Sequence, residues 1–266
     1  GGHVGTGQRA DQSSIEKWVG MDAAKGLWQL GLDAVQKVCE LVDEHEIDCE
    51  LGSGNLHLAA KPGHAEELQE EVEHLESQYG YQHLSYLAPD AVSERTSAQG
   101  FYGALLDDGC RHLHPLKYAV GLARAAAEAG VRIYEHSRAQ SAPDGQSGEV
   151  KTAQGVVSAR HVVLGCNAYL GKLMPRLAGN IMPINNFVIA TEPLPSHLLP
   201  RINRDNLSMS DTLFVINYWK LSEDGRMLFG GGENYSSRFP RDIKAFVRPH
   251  MLNIYPELEE VKVEYG

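Results

Sequence analysis

The stretch that decides the fold is Leu228-Phe229-Gly230-Gly231-Gly232-Glu233-Asn234-Tyr235, in which three adjacent glycines end an apolar strand. A glycine inside a strand costs roughly 0.5 to 1 kcal/mol relative to alanine, so the triplet gives up about 2 kcal/mol of stability. A bulge or a sharp bend explains one or two of these glycines. A flat ligand lying on bare backbone explains all three, and both interpretations are open on this stretch alone.

A second glycine-rich stretch opens the chain as Gly1-Gly2-His3-Val4-Gly5-Thr6-Gly7-Gln8-Arg9. Such loops suit phosphates or a flat cofactor ring, because backbone amides approach the ligand without a Cβ in the way. As a bare pattern, the stretch fits a loose terminus equally well.

Composition narrows the class of protein. With 266 residues, of which 42% are hydrophobic, the chain has a core sufficient for one large or two ordinary domains. The formal charge of -11 argues against a nucleic-acid partner and favours small molecules or proteins. No apolar run reaches the roughly 18 residues that span a bilayer. Cys39, Cys49, Cys110 and Cys166 are irregularly spaced, so we expect free thiols in a soluble, cytoplasmic protein.

Apolar residues at three- and four-residue steps predict a long helix from Asp22 to about His45. Proline starts and glycine stops predict two more helices, from Pro62 to Tyr79 and from Pro115 to Gly130. Residues 240–255 read as a helix interrupted or restarted at Pro249.

The first half of the strand pattern predicts a parallel sheet with an insertion. The buried parallel strands are expected at Val131 to Tyr134 and at His161 to Gly165. Between them, segments 138–142, 149–152 and 156–158 predict an antiparallel meander, with turns at Asp144-Gly145 and Gln154-Gly155. Two further strands precede this region: an alternating one through Leu56, Leu58 and Ala60, and one from Phe101 to Leu106 closed by a turn at Asp107-Asp108-Gly109.

The second half predicts a mainly antiparallel layer that begins near Pro175. Its expected strands are Ile181 to Glu192, Leu213 to Leu221, Met227 to Gly230 and Val261 to Tyr265. A hairpin turn at Glu223-Asp224-Gly225 joins the middle two.

A parallel sheet interrupted by a meander and followed by an antiparallel layer is typical of flavoproteins, and several sequence blocks point the same way. They are His112 to Leu116, Ala159 to Leu164, Cys166 to Leu170, Met182 to Phe187, Ala190 to Leu194, Arg238 to Pro240 and the two glycine-rich stretches. In these blocks the chain resembles the D-amino-acid oxidase superfamily of FAD-dependent oxidoreductases, and within it the γ-glutamylputrescine oxidase-like branch.

The resemblance implies a mixed α/β (α+β) fold, in which an FAD-binding parallel sheet with a β-meander insertion accompanies an antiparallel substrate-domain sheet with helices. Residues 1–20 would be the remainder of the FAD-binding loop, 21–100 substrate-domain and helical segments, 101–175 an FAD-binding segment with the meander, and 176–266 the antiparallel substrate domain. No G-x-G-x-x-G stands in the right context. The family's first βαβ unit and its later flavin-contacting segments therefore have no counterpart in this sequence. We expect the chain to be a fragment trimmed at both ends.

By resemblance, Gly1, Gly2, His3 and Val4 border the flavin, with His3 where a glutamine is usual. The same resemblance implies that Ala139 meets the adenine. The cofactor would also be touched by the turn at Cys166, Asn167 and Ala168.

The substrate side is expected on the antiparallel layer. The resemblance places Tyr218, Glu233 and Tyr235 in an amine pocket, with Asn185 as a further candidate. A carboxylate at Glu233 would attract an ammonium group, or it would cap a turn or pair with Arg238. No catalytic residue is assigned, because transfer of a hydride to the flavin needs no obligatory general base.

Cys110, His112 and His114 form a C-x-H-x-H run whose strand spacing superficially suggests a metal site. No fourth ligand is evident, and the family uses this segment to enter the Pro115 helix. We therefore predict no metal.

The implied activity is FAD-dependent oxidation of an amine of the γ-glutamylputrescine type by oxygen. The imine hydrolyses to an aldehyde, releasing ammonia and hydrogen peroxide, in the setting of putrescine breakdown. The alternatives are a related flavin-dependent dehydrogenase or N-demethylating oxidase, and a non-catalytic fragment that acts as a binding module. The expected partners are a small-molecule amine and oxygen, with neither nucleic acid nor membrane; the sequence does not indicate the oligomeric state.

Overall fold

The computed structural model describes residues 1–142, 148–235 and 238–266. The chain divides into two compact units. The first unit comprises Gly1–Ala125, Asn186–Gly232 and Pro240–Gly266, and the second comprises Ala126–Asn185 and Glu233–Phe239.

The helices are α1 Gln12–Val19, α2 Met21–Glu44, α3 Pro62–Tyr79, α4 Pro89–Ser93, α5 Pro115–Glu128, α6 Pro175–Ala178, α7 Leu199–Ile202 and α8 Ile243–Ile254, with 3-10 turns at Asn167–Leu170 and Pro256–Leu258. The strands are β1 His3–Val4, β2 Gly52–Leu58, β3 Leu84–Leu87, β4 Ala104–His112, β5 Glu149–Lys151, β6 Val156–Ser158, β7 Asn185–Pro193, β8 Ser208–Asp211, β9 Tyr218–Leu221, β10 Arg226–Asn234 and β11 Val263–Tyr265.

The helix predictions are confirmed within one or two residues at most ends. Pro62 stands in the first turn of α3, and Gly80 ends it in the left-handed conformation with φ 65°. The expected interruption at Pro249 is wrong, because α8 continues through that residue. Asp242 caps its first turn by accepting from the Ala245 amide, and Val247 and Met251 bury one face, so local signals on both sides hold the helix together.

The main sheet of the first unit has the order β1-β4-β2-β8-β9-β10-β7-β11, with β3 also paired to β4. Antiparallel pairing dominates its registers, and β2 and β8 form a parallel pair that aligns Asn55 with Ser208 and His57 with Ser210. The predicted antiparallel layer with helices is therefore confirmed, and the fold is mixed α/β.

One face of this sheet packs on the largest apolar core. Trp219 and Phe229 stack there with ring centroids 5.5 Å apart, and Tyr255 at the end of α8 meets Trp219 edge-on. Because side chains alternate along a strand, Tyr218 and Lys220 lie on the opposite face.

In the second unit, the predicted parallel strands are wrong. Residues 131–134 and 161–165 are irregular, and Val131 and Val163 are 54% and 92% exposed. An apolar run forms a strand only where a neighbouring strand completes its hydrogen bonds, and in the described chain neither segment has such a neighbour. The meander is confirmed as the β5–β6 hairpin, to which segment 138–142 adds only a bridge from Ser141 to Lys151. The turn predicted at Asp144-Gly145 lies outside the described residues.

Another correction concerns the turn predicted at Asp107-Asp108-Gly109, because β4 runs straight through it. The Asp107 carboxylate is buried and accepts hydrogen bonds from Tyr81 Oη, Thr6 Oγ1 and the Gly109 amide. These donors stabilise a carboxylate inside a strand, where composition alone favours a turn. The described residues contain no helix that is long and apolar enough to cross a bilayer.

Candidate functional site

The candidate site lies on the polar face, which we define as the side of the main sheet that carries His57, Ser210, Tyr218 and Lys220. Registers across β2, β8 and β9 bring the first three residues side by side. The ring nitrogen Nδ1 of His57 lies 2.8 Å from Ser210 Oγ, and Ser210 stands opposite Tyr218. A continuous row of polar side chains therefore crosses three strands.

Tyr218 is fixed by two residues, Gly230 on the adjacent strand β10 and Asn186 on β7, the next strand beyond it. Its hydroxyl donates to Asn186 Oδ1 at 2.5 Å. Its ring lies directly on Gly230, where a Cβ would come within 2.2 Å of Tyr218 Cζ. Burial raises the pKa of Tyr218, so the phenol is neutral and donates this hydrogen bond.

The structure explains the glycine triplet by the protein's own side chains. A Cβ at Gly231 would stand 2.6 Å from Asn217 Oδ1, and one at Gly232 would stand 2.5 Å from the Phe246 ring. Gly232 also has φ +74°, a conformation that L-residues rarely adopt. No bound ligand is needed to account for the three glycines, and at Gly230 the consequence is the placement of Tyr218.

The amino-terminal segment forms an edge strand of the same sheet, beside β4. His3 and Val4 pair with His112 and Arg111 of β4, and the Leu113 amide donates to the Gly2 carbonyl at 2.8 Å. Gly2 has φ +89°, and a Cβ there would lie 2.1 Å from the Leu113 carbonyl oxygen, so the position accepts only glycine.

His3 and Tyr218, predicted separately for the cofactor and the substrate, meet in the structure. Their ring centroids are 5.8 Å apart in an edge-to-face arrangement. His3 Nε2 is shielded from solvent and has no hydrogen-bond partner among the described residues.

The histidines of this region are neutral at physiological pH. Burial lowers the pKa of His3, His57 and His112 to about 4 in each case. Nearby positive charge adds to the effect of burial, because the ammonium of Lys220 further lowers the pKa of His3 and of His112. These rings therefore serve as hydrogen-bonding groups and do not repel a cationic ligand.

A cavity of about 770 Å³ opens beside the polar face, with His57 in its wall. Its ionisable lining consists of Asp11, Glu67, Glu70, Glu71, Asp211, His57, His64 and His74. The described residues that line it include neither lysine nor arginine. Burial raises the pKa of Asp211, and burial together with the charges of Asp11 and Asp107 raises that of Glu71. The cavity therefore presents an acidic wall that is complementary to a cation.

The remaining predicted site residues belong largely to the second unit. Ala139 is half-buried in an irregular segment, and Cys166, Asn167 and Ala168 form the start of the 3-10 turn Asn167–Leu170, where Asn167 has φ 48°. Asn185 begins β7. Glu233 accepts a hydrogen bond from Tyr235 Oη at 3.2 Å, and Tyr235 is 56% exposed. Their roles toward cofactor and substrate stay predictions.

The residues of the C-x-H-x-H run have separate partners. Cys110 donates to Asp107 Oδ2, the Nε2–H of His112 donates to the Asn206 carbonyl, and His114 Nδ1 accepts from the Lys117 amide. The described residues contain no group of side chains that could hold a metal ion.

Sequence reasoning missed Asn186, Lys220 and His57. The signal was the two-residue alternation along each strand, which places Lys220 on the face of Tyr218 and His57 on the face away from Leu56 and Leu58. This alternation identifies the residues of the polar face only when it is known which face of the strand packs on the core. The neighbouring strands determine which face that is.

Comparison with known proteins decides the family. The family model described as FAD dependent oxidoreductase (DAO) matches residues 1–266. The chain belongs to this family. It is 36% identical over 267 residues to a probable oxidoreductase OrdL of Rhizobium meliloti (strain 1021), and 34% identical over 266 residues to the gamma-glutamylputrescine oxidoreductase of Escherichia coli (strain K12). Each match covers 100% of this chain and 62% of the relative, so the chain spans about three fifths of these curated relatives.

Solved structures of two enzymes share the fold. A glycine oxidase from Geobacillus kaustophilus superposes with a TM-score of 0.72 at 17% identity, over 99% of this chain and 69% of that one. An L-proline dehydrogenase from P. horikoshii gives a TM-score of 0.68 at 18% identity, over 86% of this chain and 64% of that one. The D-amino-acid oxidase-like fold predicted from the sequence is thereby confirmed, and FAD is the cofactor of the family.

Proposed function

We propose that the protein to which this chain belongs is an FAD-dependent oxidase of an amine of the γ-glutamylputrescine type. The amine becomes an imine, which water hydrolyses to an aldehyde and ammonia, while oxygen takes up the two electrons and leaves as hydrogen peroxide. When bound, FAD supplies the hydride-accepting chemistry. The name of the Escherichia coli relative supports the choice of substrate.

The residues at the start of the chain fit a flat cofactor. A Cβ at Gly1 or Gly5 would have no heavy atom within 4 Å, so ligand atoms can approach the backbone there. The unpartnered His3 Nε2 offers a hydrogen bond. We therefore assign Gly1, Gly2, His3 and Val4 to the flavin's border.

The observation that carries the proposal is the contact of His3 with Tyr218 beside an acidic cavity. The carboxylates attract an ammonium group, and the neutral His57 and His3 rings do not oppose it. Tyr218, held between Asn186 and Gly230, presents a fixed wall that orients the carbon beside the nitrogen and excludes water.

The proposal includes a cytoplasmic setting in putrescine breakdown. All four cysteines, each in the described part of the chain, are unpaired. This state suits a reducing compartment.

The test uses the full-length protein loaded with FAD. We expect peroxide to form in step with aldehyde when γ-glutamylputrescine is added, and putrescine serves as the comparison substrate. Tyr218→Phe removes the bond to Asn186 and is expected to lower kcat/KM about tenfold, whereas Tyr134→Phe, at a side chain that is 64% exposed, leaves it unchanged. Dye reduction without peroxide would instead indicate a dehydrogenase. A protein that folds but retains no flavin would favour the non-catalytic binding module.

A further inference from the structure

Asp107 is a buried carboxylate that neither the catalytic proposal nor the pairing of its strand requires. It is 4% exposed and lies inside β4. Its register partners are Asn55 of β2 and Leu84 of β3, so the strand is held on both sides at this residue. Removing a carboxylate from water is costly unless hydrogen bonds replace the lost solvation, so the bonds that it accepts indicate what the side chain does.

Four donors from three parts of the chain converge on this carboxylate. Its Oδ1 accepts from Tyr81 Oη at 2.7 Å and from the Gly109 amide at 2.9 Å. Its Oδ2 accepts from Thr6 Oγ1 at 2.8 Å and from Cys110 Sγ at 3.0 Å. Burial and the charge of Asp107 raise the pKa of Cys110 to about 12 and also raise the pKa of Tyr81, so both groups keep their protons and donate. Of the four donors, Thr6 alone belongs to the amino-terminal segment.

The segment that we assign to the flavin's border is attached at its two ends. At its start, the Leu113 amide donates to the Gly2 carbonyl at 2.8 Å. Strand β1 is only two residues long, and Gly5, which follows it, adds no packing, because a Cβ there would have no heavy atom within 4 Å. Thr6 supplies the attachment at the other end, since its hydroxyl bonds to Asp107 across 101 residues. A backbone that is fixed before a ligand arrives lowers the cost of binding that ligand.

We propose that Asp107 is a positioning residue for FAD, which holds Gly1–Val4 in place at the flavin through its bond to Thr6. The carboxylate stands on a strand that is paired on both sides, so it gives the Thr6 side chain a rigid support. Asp107 acts through Thr6 and the backbone, without contact to the reacting atoms. This inference rests on the proposed function, because it requires flavin at Gly1–Val4.

The test measures the affinity of the full-length apoprotein for FAD, by titration followed through the visible absorption of the flavin. Thr6→Val keeps the shape of the side chain but removes the donor, and we expect the dissociation constant of FAD to rise about tenfold, because a looser segment must be ordered on binding. Thr6→Ser keeps the hydroxyl and should retain the wild-type affinity. Asp107→Asn should also weaken FAD binding, and adding Thr6→Val to it should raise the constant no further, since the two residues act through one bond.

The matched control is Tyr81→Phe, which removes another donor from the same carboxylate but lies between α3 and β3. It should lower the free energy of unfolding in urea, as Thr6→Val does, while leaving the dissociation constant of FAD unchanged. Equal FAD affinity in Thr6→Val and Thr6→Ser, or an equal loss of affinity in Thr6→Val and Tyr81→Phe, would overturn the role of Asp107 and leave the oxidase proposal intact.

The two proposals fail in different ways. A wild-type protein that binds no FAD would overturn both. A protein that binds FAD, loses affinity in Thr6→Val and forms no peroxide with any amine would refute the oxidase and support the positioning role of Asp107.

Discussion

At Gly230 the ring of Tyr218 fills the space of the missing side chain, so two positions on neighbouring strands act as one. The ring can stay bonded to Asn186 only while residue 230 has no Cβ. The glycine triplet lowers the stability of strand β10. In return, the ring of Tyr218 is held in a fixed orientation in which it faces His3.

Gly230→Ala is expected to destabilise the chain by about 1 to 3 kcal/mol and to displace Tyr218, because the new methyl group overpacks the ring. Urea unfolding measures the loss. Adding Tyr218→Ala should recover part of it, and the two changes will not be additive because the residues are in contact. Gly26→Ala, in helix α2 with open space around it, is the control and is expected to stabilise by about 0.4 to 1 kcal/mol. Strict additivity of the Gly230 and Tyr218 changes would contradict the coupling.

For single residues, the sequence predicts which side chains belong to the site better than it predicts which of them touch each other. Tyr218 could be selected because it precedes the glycine-ended strand, but its partner Asn186 could not. Phe187 and Ile189 of β7 face the core, and this alternation turns Asn186 toward Tyr218. A shift by one residue would reverse the pattern, and nothing local in the Asn185-Asn186 pair excludes such a shift.

Among the elements, helices could be predicted well and strands less so, for a physical reason. A helix such as α3 satisfies its own hydrogen bonds, and Pro62 and Gly80 mark its ends. A strand depends on neighbours that lie far away in sequence. Residues 161–165 have the apolar composition of a strand and stay irregular, whereas β4 tolerates Asp107-Asp108-Gly109 because β2 and β3 pair with it on either side.

The packing of α8 on the sheet depends on a buried hydrogen-bond network at Tyr255. Its hydroxyl accepts from Trp219 Nε1 at 2.9 Å and lies 2.8 Å from Thr96 Oγ1. Tyr255→Phe leaves the indole donor buried without this partner, and we expect a loss of about 1 to 3 kcal/mol. Chemical denaturation of Tyr255→Phe against Tyr134→Phe, at a tyrosine that is 64% exposed, isolates the network from the removal of a hydroxyl as such. Equal stability of the two variants would show that the network contributes nothing.

For the whole molecule, the buried histidines link stability to pH. Burial lowers the pKa of His112 from 6.5 to about 4 in the folded state. Between these values the unfolded chain binds the additional proton, so the free energy of unfolding is fully retained above the unfolded pKa and decreases as the pH falls toward the folded one.

We expect His112→Gln to make that decrease shallower by up to about 1.4 kcal/mol per pH unit, because one proton fewer is taken up on unfolding. His57→Gln should act in the same direction, since burial also lowers its pKa to about 4. Denaturant titrations at a series of pH values between the two pKa values provide the measurement. Parallel curves for the wild type and His112→Gln would contradict the linkage.

The membership of the family could be predicted from several sequence blocks in order, none of which is specific alone. The acidic cavity could not be predicted from the sequence, because its wall combines residues from distant parts of the chain. These are Asp11 near the amino terminus, the glutamates of α3, and Asp211. Only the folded sheet brings these segments together.

The parallel pairing of β2 with β8 also determines when the sheet can be completed. Asn55 bonds to Ser208 across 153 residues, and His57 to Ser210 across the same interval. Closing so long a loop is slow compared with forming local hairpins or helices. During synthesis, β2 must therefore wait until more than three quarters of this chain has left the ribosome, and its open edge is the surface that a chaperone would have to shield in that interval.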